Sequence, residues 1–386
     1  MNAMRIFILA VAFALMSTQA ARASDPLKIG IVVPLSGVYA DHGKQMINGF
    51  NLYLKEHGNQ VAGREVVLVV KDETGPSPDV VKRIVQELIV KEKVELIAGF
   101  DFTPNAIAIA PLATQAKIPV VITNAATSGI PKRSPYMVRT SFVTGQVTAP
   151  LALWAAKNGI KRVYTLVADF APGNDAEAAF KKAFVASGGT IIGSGKVPLQ
   201  NPEFSPFVQR VKDEKPDAVF LYEPAPGGVA FAKVFVEKQL AASGIKLIST
   251  GDLVEEQSLG ALGSSVEGVI TSHHYSSWHD SVLNKNFVSA YQKNYGMRPN
   301  FYAVGSYDGM ELIFSAVKKM GGKVTSDGFM AAVKGMQFES PRGQIRIDPE
   351  TRDIVQTIYV RRTEKGSAGI QNTEIANYPS DPKAGQ

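Results

Sequence analysis

VELIAGFDFTPNAIAIAPLATQAKIPVVITNAAT, residues 94–127, decides the fold. Residues 94–98 read as a short apolar strand, 99–104 as a glycine-led loop, 105–116 as a helix and 119–123 as a second apolar strand. That is one β-α-β unit of a parallel sheet. The two strand ends and the N-terminus of the helix between them open on one crevice, lined by small and hydroxyl-bearing residues. Open α/β sheets bind ligands outside the carboxyl ends of their strands, where amide N–H groups and the helix dipole favour an anion. A small anionic ligand is therefore expected in this crevice.

The same alternation runs outward in both directions. Residues 27–33 form a first buried strand, closed by Pro34-Leu35-Ser36-Gly37. A helix at 43–57, a strand at 66–70 and a helix at 79–91 opened by Pro78 lead into the 94–127 unit. After a short strand at 136–139 and a helix at 147–158 the pattern restarts. Strands at 162–167, 190–196, 217–221 and 246–249 alternate with helices at 175–187, 204–212 and 228–239. Two α/β domains with a seam at 141–148 follow from this. Beyond Gly268 the pattern is less regular: a strand at 269–272, a loop at 273–278, helices at 285–295, 302–319 and 329–334, a hairpin around Pro341-Arg342-Gly343, and a strand at 355–361. The segment from Thr363 reads as a peripheral tail.

A chain of 386 residues exceeds one ordinary domain and suits two. The net charge of +6 is spread among both signs, with no dense Lys/Arg patch, so nucleic-acid binding is not expected. Residues 1–23 read as a secretory signal peptide: Arg5, an apolar run at 6–16, and a small-x-small end at Ala21-Arg22-Ala23. Cleavage is expected after Ala23, which lowers the charge to +4. The apolar run is short for a membrane span, and no later stretch reaches that length. Membrane association is thus expected through a protein partner rather than by insertion. Cysteine is absent, which removes disulfides, a thiolate nucleophile and a cysteine-borne lipid anchor.

Catalytic motifs are missing. No H-E-x-x-H, G-x-S-x-G, Walker A or G-x-G-x-x-G pattern occurs in its proper context. His273, His274 and His279 make a poor metal set, since adjacent histidines in a strand point to opposite faces. They are expected in local or surface roles. The pairs Asp72-Glu73 and Glu255-Glu256 are expected to be solvated. Neither an enzyme nor a cofactor or metal is expected. The strand-end loops read better as a recognition surface. Ser36, Thr103, Thr127 and Ser128 offer hydroxyls, and Gly99, Ala125 and Ala126 let backbone N–H groups approach a ligand. Phe100, Phe102, Phe170, Tyr222, Tyr275, Trp278 and Tyr307 offer flat walls. Aromatic walls with a few convergent polar groups suit an aromatic or apolar acid.

Several stretches resemble one family in order and spacing: IGIVVPLSG (29–37) with Gly43, Glu73 leading into the second helix, IPVVITNAAT (118–127) and VRT (138–140). Tyr275-Ser276, Phe287-Val288 with Ala290-Tyr291, and Tyr307-Asp308 follow. The chain resembles the leucine/isoleucine/valine-binding type of periplasmic binding protein, the substrate receptor of an ABC importer. The resemblance spans 27–359. It implies a type I periplasmic binding protein fold: two Rossmann-like parallel-sheet lobes joined by three crossovers and closing on a ligand. Lobe one would be 27–142 plus 275–352, lobe two 143–274 plus 353–362, with 363–386 as the tail. It implies a membrane permease as partner and does not require self-association, so a monomer is expected.

The resemblance also implies roles. The ligand carboxylate would meet Thr103, Ala125, Ala126 and Thr127 in lobe one. An acid near Asp252 in lobe two would meet an amino acid's ammonium group, helped by a tyrosine whose position here is Pro172, within Asp169-Phe170-Ala171-Pro172-Gly173. This departure, with Phe100 and Phe102, is similar to members that carry benzoate-, hydroxycinnamate- or phenylpyruvate-like acids. Asp252 would then accept from a ring hydroxyl, with Tyr222, Phe170 and Tyr275 around the ligand body. A branched-chain amino-acid receptor is the alternative ligand class. An exported α/β enzyme and a ligand-sensing module are the alternatives of another kind.

Overall fold

The computed structural model describes residues 25–366 and 369–379. The expected signal peptide and its cleavage site lie outside the described residues. The first sheet contains β1 (Leu27–Val33), β2 (Gln60–Val61), β3 (Arg64–Asp72), β4 (Leu96–Gly99), β5 (Val120–Ile122) and β6 (Met137–Arg139), in the order β2-β3-β1-β4-β5-β6. All its pairings are parallel except β2 with β3. The second sheet begins with β7 (Arg162–Ala168), β8 (Thr190–Val197), β9 (Ala218–Tyr222), β10 (Lys246–Thr250) and β11 (Ile270–His273). A small sheet, β12 (Gln337–Ser340), β13 (Gly343–Ile347) and β14 (Ile354–Val355), follows in the chain. β15 (Thr357–Gly366) and β16 (Gly369–Pro379) then complete the second sheet in the order β16-β15-β11-β10-β9-β7-β8.

Each large sheet is buried on both faces, which is why its strands read as near-continuous Val/Ile runs. On β1, Leu27, Ile29, Ile31 and Val33 point into one core while Val32 joins Ile97, Val120 and Ile122 in another. On β7, Tyr164 and Leu166 face one core of the second lobe, Val163 and Val167 the other. Helices cover all four faces, and the chain passes between the sheets at 140–143, at 274–281 and at Gln356.

Two glycines set how closely helices approach strand ends. Gly43, in the first turn of helix Ala40–His57, lies where a Cβ would stand 1.6 Å from the Pro34 carbonyl oxygen. Gly173 holds the equivalent place in helix Ala171–Ala186, where a Cβ would stand 1.9 Å from the Ala168 carbonyl oxygen. No side chain fits at either distance, so each helix starts directly over the end of its strand.

Three departures from the sequence reading bear on how the elements are arranged. The helix expected at 105–116 is two helices, Thr103–Ala108 and Ala110–Ala116. Pro111 has no N–H for the carbonyl one turn back, and its ring clashes there, so the first helix stops at Ala108. The segment expected as a tail supplies β16, which pairs antiparallel with the whole of β15. Its Ile370, Ile375 and Tyr378 pack on the second lobe. The acidic pairs are not uniformly solvated: Glu73 and Glu255 are buried.

Candidate functional site

The strand ends of both sheets face one cleft, as expected of open α/β sheets. At its centre lies a cavity of about 40 Å³. A water position takes roughly 10–15 Å³ on this measure, so the space suits about three waters or one small ring.

Lobe one builds one wall. After β4 the chain turns sharply at Phe100, whose φ of 66° is unusual for a bulky residue. The Phe100 N–H donates to the Val32 carbonyl, and its own carbonyl accepts from the Ala125 N–H. That clasp buries Phe100 and presents Asp101, Phe102 and Thr103 to the cavity. The Thr103 and Thr127 hydroxyls are 3.0 Å apart, and the Thr127 N–H donates to Thr103 Oγ1 at 3.4 Å. Arg139 fixes this turn from beneath. Its Nη1 donates to the Ala125 and Thr127 carbonyls at 2.9 Å, and its Nε to Asp353 at 2.6 Å.

A polar chain flanks the turn. Asp101 Oδ1 accepts from Asn124 at 2.6 Å and Oδ2 shares a hydrogen bond with His42 Nδ1 at 3.0 Å. The His42 ring stacks on Tyr302 at 4.3 Å. The Asp101 N–H donates to buried Glu73, whose carboxyl is pushed well up by burial and then by Asp101.

Lobe two closes the other wall with Phe170, Pro172, Leu199, Tyr222, Pro224 and Asp252. Burial raises the Asp252 pKa against the lowering effect of the Thr250 hydroxyl, which donates to Oδ2 at 2.7 Å. His273 Nε2 is 3.8 Å from the same oxygen, too far for a hydrogen bond. Burial also holds that imidazole well below its usual pKa, so the two are not an ion pair.

One contact joins the lobes directly beside the cavity. Asp175 of helix Ala171–Ala186 accepts from the Ser128 N–H at 3.0 Å and from its hydroxyl at 2.9 and 3.1 Å. Because the two residues stand on opposite lobes, a hinge opening of the cleft would break this contact. Asp175→Ala is expected to weaken ligand affinity about 5–10-fold, the value of about 1 kcal/mol for one net hydrogen-bonded contact. Titration calorimetry checks this, and an unchanged affinity would show that the contact does not help closure.

Of the residues singled out from sequence, Phe102, Thr103, Ala126, Phe170, Pro172, Tyr222 and Asp252 line the cavity. Ala125, Thr127 and Ala171 lie beside lining residues but not on the cavity surface. Ser36 is exposed, on the loop after β1, away from the cavity. Tyr275 is displaced from its expected place: it is buried in the lobe-one core, and its hydroxyl donates to Asn284 at 3.0 Å. The chain crosses back to lobe one right after β11 and carries Tyr275 away from the cleft. His273 and His274 are likewise core residues, stacked among Phe142 and Phe301. Tyr39, His42, Asp101, Asn124, Phe142, Leu199, Pro224 and Tyr302 line the cavity without having been singled out. Asp101 and Asn124 sit in the two loops already marked, and their polarity beside Thr103 was the available signal.

Two mostly parallel lobes with a ring-sized cavity between their strand ends define a two-lobed solute-binding protein. The periplasmic binding protein family profile matches residues 26–368, and the chain belongs to that family. It is 42% identical over 378 residues to Leu/Ile/Val-binding protein homolog 6 of Brucella suis, covering 97% of each chain. The solute-binding protein of an ABC transporter from Rhodopseudomonas palustris BisB5, solved with 3,4-dihydroxybenzoic acid, is 52% identical. Its TM-score is 0.89, over 92% of this chain and 98% of that one. A counterpart from Rhodopseudomonas palustris HaA2, solved with p-hydroxybenzoic acid, is 43% identical with a TM-score of 0.90, over 93% and 98% of the two chains. The family is one of periplasmic transport receptors rather than enzymes. No helix among the described residues is long and apolar enough to cross a membrane.

Proposed function

We propose that this protein is the periplasmic receptor of an ABC importer and holds a small aromatic carboxylate between its lobes. The observation that carries this reading is the ring-sized cavity between the lobes, walled by Phe102, Phe142, Phe170 and Tyr222 and bordered by the polar side chains of Asp101, Thr103 and Asn124. The carboxylate sits on Thr103 and the neighbouring amides, where Arg139 supports the turn from below. The ring lies among Phe102, Pro172, Phe170 and Tyr222. Asp252 and the His42–Asp101 pair face its hydroxyl substituents. The two R. palustris proteins solved with hydroxylated benzoic acids support this ligand class.

A branched-chain amino acid fits less well. Its ammonium group needs an ionised acid, and burial, which raises the Asp252 pKa, makes that charge costly to hold. Asp101 is already engaged by His42 and Asn124. In this reading the chain is exported, cleaved after Ala23 and met by a membrane permease when closed. The intact mass of protein taken from the periplasm tests the cleavage.

The functional test is a thermal-shift panel on refolded, ligand-stripped protein, since a ligand bound only by the folded state raises apparent stability. Benzoate and hydroxybenzoates should raise the melting temperature, and leucine and valine should not. A shift from leucine or valine alone would sink the aromatic reading. Thr103→Val should then weaken hydroxybenzoate binding roughly 30-fold, the equivalent of about 2 kcal/mol for a hydrogen bond to a charged group. Calorimetry checks it, and a loss under threefold would move the carboxylate elsewhere.

A further inference from the structure

The inner cavity adjoins a second, larger pocket of about 630 Å³, also built by both lobes and itself open to solvent. Lobe one gives it Gly37, Thr74, Gly75 and Ser77, and lobe two gives Gln200, Asn201 and Gly227 among others. Among the described residues, only Tyr39 and Leu199 border both spaces. We propose that these two side chains form a partition that limits the length of the aromatic acid, and that the outer chamber is a subsite for an uncharged extension of it. This rests on the aromatic-acid reading of the inner cavity.

The two halves of the partition are held differently. Tyr39 is fixed: it is 4% exposed, meets Phe102 edge-on at 4.9 Å and lies 5.5 Å from the His42 ring. Leu199 is half-buried on the loop between β8 and helix Ser205–Glu214. It stands on a connection rather than on a packed element, and connections yield more readily. Leu199 is therefore the side that gives. The chemistry of the outer chamber sets what passes. Its lining joins Pro76, Pro202, Pro226 and Val38 to the hydroxyls and amides of Thr74, Ser77, Gln200 and Asn201, with no Lys, Arg, Asp or Glu among the described residues. An uncharged alkoxy or aliphatic arm suits it, and a second carboxylate does not, for want of a counter-charge.

The test measures by calorimetry the ratio of dissociation constants for a long and a short acid. The short acid is 4-hydroxybenzoate. The long ones are 4-butoxybenzoate, extended at the ring, and 4-phenylbutyrate, extended at the carboxyl arm. In the unaltered protein the long acids should bind at least 100-fold more weakly. Leu199→Ala should lower that ratio at least tenfold for one of them. Tyr39→Leu, which opens the partition from the other lobe, should move it the same way. Ala230 is exposed and lines only the outer chamber. Ala230→Trp added to Leu199→Ala should restore the high ratio, because it fills the space the arm would use. A ratio that stays within twofold in both opened variants, while 4-hydroxybenzoate still binds, overturns the partition. A ratio that Ala230→Trp does not restore overturns the outer subsite. Unaltered protein that binds no hydroxybenzoate overturns the aromatic-acid reading instead, so the failures are distinguishable.

Discussion

Arg342→Met should lower the unfolding free energy by about 3–5 kcal/mol, the range for removing one partner of a buried ion pair. The Arg342 guanidinium is fully buried. Its Nε donates to Asp308 at 2.8 Å, its Nη1 to the Ser141 carbonyl at 2.8 Å and to Gln356 at 2.6 Å, and its Nη2 to the Thr140 carbonyl. Ser141 lies on one inter-lobe crossover and Gln356 on another, so a single side chain ties two of the three hinge strands to the small sheet. Burial lowers the Arg342 pKa and raises that of Asp308 to about 6, even though each opposes the shift in the other. Desolvation thus outweighs attraction for the pair. The large loss comes from leaving Asp308 buried without its counter-charge, with the Ser340 hydroxyl at 2.8 Å remaining as a neutral donor. Urea denaturation of Arg342→Met, Asp308→Leu and the double variant separates the terms. The double variant should recover at least half of the single loss. A single loss under 1 kcal/mol would show that water reaches Asp308.

Glu223→Gln should stabilise the protein at pH 9 by on the order of 3 kcal/mol and leave it nearly unchanged at pH 5. Glu223 follows β9 and is buried, and neither carboxyl oxygen has a hydrogen-bond partner. Burial raises its pKa from 4.5 to about 8. A raised folded-state pKa means that folding favours the protonated acid. That contribution is complete below pH 4.5 and is lost as the pH rises through 8. The full shift corresponds to about 5 kcal/mol at 1.36 kcal/mol per unit, and relaxation of the surroundings around a buried charge reduces it. Burial also raises the pKa of other acids, Glu73 and Asp308 among them, but the difference between the two proteins cancels them. Equal stability of the variants across the range would mean that Glu223 has a solvent path when folded.

The β-α alternation was legible because strands buried on both faces must be Val- and Ile-rich, and glycines end the helices between them. β16 was not, because Gln371, Asn372, Thr373 and Glu374 interrupt its apolar residues, and its pairing with β15 is a tertiary fact. Residues at strand ends or in the loops that follow them, such as Thr103, Ala126, Tyr222 and Asp252, were readable as cavity residues by the rule that open sheets bind there. The same rule misplaced Tyr275, because it does not say which way a crossover turns. His42 and Tyr302 reach the cavity from helices far apart in sequence, and Leu199 from a loop. No local pattern announces that convergence.

The turn at Thr103 and Thr127 has a consequence for the order of events. Its hydrogen bonds to Arg139, and those of Arg139 to Asp353, all lie within one lobe or at its hinge, and none needs closure. Half of the site is therefore already assembled while the cleft is open, and capture requires no ordering of that half. In the proposed reading, lobe-one residues would govern the speed of first encounter, whereas Asp175, Tyr222 and Asp252 would govern how long the solute stays. Residence time, and with it the interval open to a transporter for recognising the loaded state, would then be set by lobe two.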